Sequence, residues 1–461
     1  MTEFFKAVND VIWSPPLVVL LICAGLYLSV RTRFVQIRRF GLMFRNLFDF
    51  GKKESGSISS FEAFCVALSG RVGTGNIMGV ASAIAFGGPG AVFWMWVVAF
   101  LGASSAFTES TLAQLYKVKY GESFRGGPAY YIAKGLKCKW LGYVFAIATI
   151  IGCGLFATTI QSNGMSKAMT NAFGFPSWVG GIVLVALLAL VVLGGANRIA
   201  RVAGIVTPFM ALGYIVLAIV VVSVNWRAVP GAFQSIFEGA FGINPVCGGM
   251  LGTTIAMGVR RGIFSNEAGQ GTGAIPSAAA SVEHPAQQGL AQAFSVYVDT
   301  LFVCTATALM IITTGMYNVI DQSTGEIVVA NAPEIGANMS GFTQAAICST
   351  LGSVGGVFVG IAMIFFAFTT TLAYFFYAES SFVFLFDGRK IRKKIVKNCF
   401  CVLYFAAAIF GSLNESGVVW TLADIGVGSM AWINLIAILI LSPQAFRALR
   451  EYEAGIGRRK R

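Results

Sequence analysis

Hydrophobic positions along the chain gather into eleven long runs, at 14–30, 62–86, 90–116, 141–165, 178–195, 202–224, 246–280, 289–315, 354–386, 398–413 and 418–442. A helix needs about 17–25 residues to cross a bilayer, so each run is long enough, or nearly so, to span one. The pattern predicts an all-α integral membrane protein of about eleven transmembrane helices. The seventh and ninth runs are too long for one straight span and predict kinked or loop-like stretches. Gly/Pro punctuation such as Gly87-Gly88-Pro89-Gly90 marks tight connections between runs.

Composition narrows the class. The 461 residues are 56% apolar and 11% charged, against roughly 25% charged in an ordinary soluble domain, too little polar material for an aqueous shell. The 54 glycines suit membrane helices that pack closely through small side chains. The nine cysteines are dispersed, with no CxxC or Cys/His cluster, which argues against a zinc site or a disulfide framework. His284 is the sole histidine and no paired catalytic aspartates are apparent, so an intramembrane enzyme is not expected.

The net charge of +13 is a topology signal. Of the 33 Lys and Arg residues, 27 fall in alternate connections on one side, at 31–53, 117–140, 198–201, 388–397 and the C-terminal tail. The opposite side holds Lys6, Lys167 and Arg227, while Arg71, Arg260 and Arg261 lie inside runs. The positive-inside rule then predicts an extracytoplasmic N-terminus and a cytoplasmic C-terminus. Nucleic acid is not an expected partner; anionic membrane lipid is. Residues 1–13 lack the pattern of a cleavable signal peptide, and the first run reads as an uncleaved anchor.

Two runs are interrupted by glycine and polar residues. The second contains Ser69-Gly-Arg-Val-Gly-Thr-Gly-Asn76, and the seventh Phe264-Ser-Asn-Glu-Ala-Gly-Gln-Gly-Thr-Gly273. They stand five runs apart. With the first run as an accessory helix, the remainder divides into two sets of five, each opening with a broken helix. Five is odd, so the halves insert in opposite senses, as in an inverted repeat. Unwound backbone offers carbonyls to a cation and half-helix N-termini offer N–H groups to a carboxylate, a set matched by a zwitterionic amino acid with one sodium ion. The Gly73, Gly75, Gly79 spacing lacks the strand–turn–helix context of a nucleotide fingerprint. Asn266, Glu267 and Gln270 together in a membrane run are costly unless they line a cavity.

Other polar groups are less decisive. Gln161, near Thr158, Thr159 and Asn163, fits either a pocket or an interhelical hydrogen bond. Thr369, Thr370 and Thr371 can bond back to their own helix. Glu109, Asp299, Glu379 and Asp424 are ionisable groups in or near runs, each able to pair with Arg71, Arg260 or Arg261.

Several motifs resemble the alanine or glycine:cation symporter family. They are Leu68–Asn76 (LSGRVGTGN), Gly79–Ala85 (GVASAIA), Gly87–Trp96 (GGPGAVFWMW), Gly126–Ile132 (GGPAYYI), Arg261–Gly269 (RGIFSNEAG) and Phe366–Thr370 (FAFTT), and the likeness covers nearly the whole chain. The resemblance implies the leucine-transporter-like fold, one accessory helix followed by a five-plus-five inverted repeat with two broken helices. It implies sodium held by the carbonyls of Ser69, Val72 and Phe366 and the hydroxyls of Thr369 and Thr370. The substrate carboxylate would meet Thr74, Gly75 and Asn76, and the amino group Ser265, Asn266 and Gly269. Gln161 would close the pocket and Phe264 form an apolar wall. Arg71, Arg261 and Glu267 are the gating candidates. Arg71, Gln270, Thr272 and the stretch 371–379 depart from the family pattern, which keeps glutamine beside alanine and glycine as an expected substrate.

The sequence therefore predicts a secondary active transporter of the bacterial inner membrane, sodium-coupled, importing a small neutral amino acid by alternating access, with proton coupling as the alternative. No organic cofactor and no obligate protein partner are expected. The expected divisions are 1–53 (N-terminus, accessory helix and basic loop), 54–228 and 229–443 (the two repeats) and 444–461 (basic tail).

Overall fold

All eleven hydrophobic runs form helix, and the two glycine-interrupted ones break. The structure, a computed structural model, describes residues 2–48, 57–121, 123–243, 250–322, 324–336, 339–386 and 393–459. Residues 246–249 of the seventh run, and Lys52, Lys53, Arg389, Lys390, Arg392, Lys460 and Arg461 of the basic connections, lie outside the described residues. A short helix α1 (Thr2–Ile12) leads into the accessory helix α2 (Pro15–Arg31). The second run is α3 (Ser60–Arg71), a π-helical turn at Gly75–Gly79 and α4 (Val80–Gly87). Then come α5 (Ala91–Leu115) and a long span made of α6 (Lys139–Ile151), a π-helical turn at Gly152–Ala157 and α7 (Thr158–Phe173). The first half closes with α8 (Ser177–Val192) and α9 (Ala196–Val224).

The second half opens with α10 (Leu251–Asn266) and α11 (Ala274–Ala279), separated by seven non-helical residues. Next come α12 (Pro285–Tyr297), a π-helical turn at Val298–Cys304 and α13 (Thr305–Thr314). Three long helices complete it: α14 (Ser353–Phe386), α15 (Lys393–Leu413) and α16 (Ser416–Arg459).

The ninth run departs from expectation. Rather than opening into a loop, α14 is one unbroken helix of 34 residues. No proline interrupts it. Thr369 and Thr371 donate to the carbonyls of Phe365 and Ala367 four residues back, at 2.9 and 2.7 Å, which satisfies their hydroxyls inside the helix. The sequence reading also passed over elements between the spans. These are amphipathic helices at Phe40–Leu47, Pro128–Gly135 and Val229–Ala240, a helix at Phe342–Leu351, and a hairpin pairing Asn318–Ile320 with Ile327–Ala330.

Burial separates helices with an exposed apolar face from those packed at the centre. On α9, Ile205, Phe209, Leu212, Val216 and Ile219 form one stripe at helical spacing, each 59% to 72% exposed, a face suited to acyl chains rather than water. By contrast, every residue of α3 from Ala63 to Arg71 is buried. That helix starts at a capping box, where Ser59 Oγ accepts from the Glu62 N–H at 3.1 Å and Glu62 returns the bond to the Ser59 N–H at 2.7 Å. Such a cap contributes about 1 kcal/mol and fixes the register of the turns that follow. Small residues let the central helices approach closely. A Cβ on Gly152 would lie 3.1 Å from the backbone of Gly426 on α16, so these two helices meet backbone to backbone.

Candidate functional site at two broken helices

Helix α3 stops because Val72 turns extended, at φ −79° and ψ 91°, and Gly73 follows without helical hydrogen bonding. Helix α10 stops at Glu267, a non-glycine residue in the left-handed region at φ 55°. Gly269 and Gly271 continue the break at φ 83° and 88°, where a Cβ would be strained. A non-glycine residue held left-handed is costly and concentrates at functional sites. Both breaks expose helix-end carbonyls and N–H groups inside the protein, the raw material for an ion and a charged ligand.

The first group of expected site residues gathers around Thr370. Its hydroxyl leaves its own helix and donates to the Ser69 carbonyl at 2.8 Å and the Val72 carbonyl at 3.3 Å. Ser69 turns its hydroxyl back onto Val66 at 2.8 Å, so only its carbonyl faces α14. Thr369 Oγ1 lies 3.3 Å from the Phe366 carbonyl and 3.2 Å from Met210 Sδ, on the flank toward α9. All five residues are fully buried. The donor set is oxygen only, which fits a hard monovalent or divalent cation and not a soft metal. Thr370 ties the three-oxygen core together, while Thr369 and Phe366 sit beside it on one helix.

The second group lines the neighbouring break. Gln161 Oε1 accepts from the Thr74 N–H at 3.1 Å, and Asn76 Oδ1 accepts from the Gly73 N–H at 2.8 Å. The Thr74 hydroxyl is buried and has no hydrogen-bond partner among the described residues, which leaves a polar atom for a ligand to satisfy. Gly75 faces the other break, since a Cβ there would lie 3.3 Å from the Phe264 ring and 3.6 Å from Ser265 Cα. Phe264 in turn packs on Trp420, with ring centroids 4.9 Å apart. Asn266 turns inward on its own break, with Oδ1 accepting from the Ala268 N–H at 3.0 Å. Gly269 meets α16, where Asn434 Nδ2 donates to its carbonyl at 2.9 Å.

Asp299 is the site residue that sequence reasoning placed only among possible arginine partners. It lies on the π-helical turn after α12 and links both breaks. Asn76 Nδ2 donates to Asp299 Oδ1 at 2.6 Å, and Ser265 Oγ lies 3.1 and 3.0 Å from its two oxygens. Thr300 Oγ1 adds a further donor at 2.7 Å. No arginine pairs with it among the described residues. The available signal was an aspartate within an apolar run, which is costly unless it serves a site.

The gating candidates divide. Arg261 donates to both oxygens of Asp424, at 3.2 and 2.7 Å, and Arg260 shares Asp424 Oδ2 at 2.7 Å. Arg261 also lies 4.3 Å from the Trp420 ring centroid, so this cluster caps Phe264. Trp13, between α1 and α2, donates from Nε1 to the Asp424 carbonyl at 2.9 Å and thereby ties the accessory segment to the cap. Arg71 and Glu267 do not pair with each other. Arg71 donates to Gln292 Oε1 at 3.1 Å and to Ser295, leaving Nε and Nη2 unpartnered among the described residues. Glu267 accepts from Thr272 at 2.8 Å and from Tyr377 at 3.5 Å. Glu109 holds the Gly271 N–H at 3.1 Å and Asn434 at 2.8 Å, and Glu379 pairs with Lys397 at 2.6 Å. Of the four carboxylates considered as arginine partners, Asp424 alone takes that role among the described residues.

The chain is similar to several known proteins. A structure of MhsT in complex with L-phenylalanine superposes with a TM-score of 0.58 at 14% identity, covering 87% of this chain and 99% of that one, and shares the fold. The putative sodium/proton-dependent alanine carrier protein YrbD of Bacillus subtilis is 48% identical over 98% of this chain and 93% of its own length. The probable sodium/glutamine symporter GlnT of the same organism is 42% identical, covering 96% of this chain and 89% of that protein. The sodium/alanine symporter AgcS of Methanococcus maripaludis is 35% identical, covering 97% and 98% respectively. The profile of the sodium:alanine symporter family matches residues 1–461. With every residue inside that match, the chain belongs to the sodium:alanine symporter family, whose members are multi-pass membrane symporters of amino acids and not enzymes.

Proposed function

We propose that this protein couples sodium entry to the import of a small neutral amino acid, alanine or glycine first, by alternating access across the bacterial inner membrane. The observation that carries the reading is the junction of Thr370 with the Ser69 and Val72 carbonyls, one residue from the Gly73–Asn76 break. Sodium held between Thr370 and those carbonyls, with Thr369 and Phe366 beside them, joins α14 to α3 and orders the break. The amino acid follows, its carboxylate on Thr74, Gly75 and Asn76, its amino group on Ser265, Asn266 and Gly269, with Gln161 and Phe264 closing the sides. The unsatisfied Thr74 hydroxyl supports this assignment. One positive charge moving down a 100 mV potential gains about 2.3 kcal/mol, which drives the cycle inward.

The N-terminus is outside and the C-terminus cytoplasmic in this reading, and residues 54–228 and 229–443 are the inverted repeats. The Arg261–Asp424 cluster is then the outer gate, with Arg71 and Glu267 on the inner path. Glutamine is a second reading for the substrate, favoured by the 42% identity to GlnT. Proton coupling is a second reading for the ion, since two relatives carry sodium/proton-dependent in their names.

Uptake of labelled alanine, glycine and glutamine into proteoliposomes tests all of these. Accumulation driven by an inward sodium gradient, lost in Asn76→Ala and weakened in Thr370→Ala, supports the proposal and names the substrate. Accumulation driven equally by a proton gradient in potassium medium would overturn the sodium assignment.

A further inference from the structure

A charged cavity of about 250 Å³ lies away from the transport core, where α2 ends beside α16. Four arginines line it, Arg31, Arg33, Arg38 and Arg450, against the single carboxylate of Glu453. That carboxylate is already committed. One of its oxygens, Oε1, receives Arg38 Nη1 at 2.6 Å and Arg39 Nε at 2.8 Å. Arg33 and Arg450 have no ion-pair partner among the described residues, and Arg31 is held only over the rings of Tyr27 and Phe446, at 5.8 and 5.5 Å. The lining thus sets four cations against one carboxylate and carries excess positive charge.

The chain bends to make this cavity. Arg33 and Phe34 are consecutive non-glycine residues in the left-handed region, at φ 55° and 50°. Such a pair is disfavoured for L-residues, and here it turns the chain so that Arg31, Arg33 and Arg38 line one cavity. The remaining wall is apolar, with Pro443, Phe446 and Leu449 from α16. Next to it, Leu26, Tyr27 and Val30 form an exposed apolar face of α2. Arginine forks recognise phosphate oxygens, and an adjoining apolar face accommodates acyl chains. Free phosphate would use the first feature alone, whereas a phospholipid uses both.

We propose that this cavity binds the phosphate headgroup of an anionic phospholipid of the phosphatidylglycerol type, seated in the cytoplasmic leaflet against α2 and α16. The bound lipid balances that excess positive charge and joins the accessory helix to the last span. The inference does not depend on which amino acid or ion is carried.

The test is native mass spectrometry on the delipidated full-length protein, titrated separately with phosphatidylglycerol, phosphatidylcholine and inorganic phosphate. Wild type is expected to retain one phosphatidylglycerol in preference to phosphatidylcholine. Each arginine contributes about a fivefold affinity factor near an anionic headgroup, so Arg33→Gln/Arg450→Gln should weaken that binding roughly thirtyfold. Arg33→Lys/Arg450→Lys keeps the charge and should bind within a few-fold of wild type, which separates lost charge from lost folding. Undiminished phosphatidylglycerol binding in the glutamine variant overturns the proposal. So does equal retention of phosphatidylcholine. Inorganic phosphate that binds as tightly as the lipid would make this a free-anion site and overturn the lipid assignment.

Discussion

Asn76 Nδ2 sits 2.6 Å from Asp299 Oδ1, and this one contact decides which way the Asn76 amide faces. With its nitrogen held by a carboxylate, its oxygen must point to the Gly73 N–H, where it accepts at 2.8 Å. Asp299 therefore orients the first break from a different helix, and through Ser265 it holds the second break as well. Asp299→Ala should lower amino-acid uptake at least tenfold, because loss of a charge-assisted bond at a buried site costs about 1.5–3 kcal/mol. Uptake comparable to wild type in a correctly folded Asp299→Ala would rule out this positioning role.

The threonine pair on α14 offers an internal comparison. Thr370 reaches across to α3, whereas Thr369 bonds chiefly to its own helix. Thr370→Val should raise the sodium concentration for half-maximal uptake about tenfold, on the order of one lost polar ligand. Thr369→Val should raise it less. Sodium titration of uptake at fixed amino acid measures both, and a larger effect at Thr369 would place the ion nearer α9.

Gly73 is confined by its neighbours. A Cβ there would run into the Thr370 hydroxyl and come within 3.1 Å of Gln161 Oε1. Gly73→Ala should abolish uptake and destabilise the protein by roughly 1–3 kcal/mol, the usual cost of overpacking. Gly75→Ala should be milder, since its nearest obstacle is the edge of the Phe264 ring at 3.3 Å. Thermal unfolding of the two variants side by side reads the difference.

One carboxylate serves two arginines at the cap of Phe264. Asp424→Ala leaves Arg260 and Arg261 facing each other with no anion, and removal of one partner from a buried pair costs about 3–5 kcal/mol. The variant should melt well below wild type. Arg260→Gln should be gentler than Arg261→Gln, because Arg260 makes one contact with Asp424 and Arg261 makes two.

His284 caps α12 with a neutral ring, its Nδ1 accepting from the Ala286 N–H at 3.2 Å. Partial burial lowers its pKa below the usual value, with Glu451 opposing the shift. A base harder to protonate when folded contributes stability above its unfolded pKa, near 6.5, and that stability is lost as pH falls below it. Melting temperature should therefore drop between about pH 7 and 5, and less in His284→Asn, which caps without titrating. An identical pH profile in the two proteins would remove His284 as the source.

The broken helices and the eleven spans were legible because both are local. Glycines 73, 75, 269 and 271 declare their breaks wherever the chain goes, and a span needs only length and hydrophobicity. Partnership is not local. Asp299 meets Asn76 across 223 residues of chain, and Asp424 meets Arg261 across 163. Nothing in the spacing of Asp299 or Asp424 distinguishes a carboxylate that will find an amide from one that will find arginines. The interruption expected in the ninth run is not there. Length alone suggested a break, but no proline lies within Ser353–Phe386 to force one.

The uninterrupted α14 has a mechanical corollary. Thr370 and Phe386 are sixteen residues apart on one unbroken helix, a distance of about 24 Å at helical rise. If the ion junction is the fulcrum, a rotation of about 10° there sweeps the Phe386 end through roughly 4 Å. A single sodium ion pinning or freeing that pivot would then be registered at the far end of the lever as a displacement larger than the ion itself.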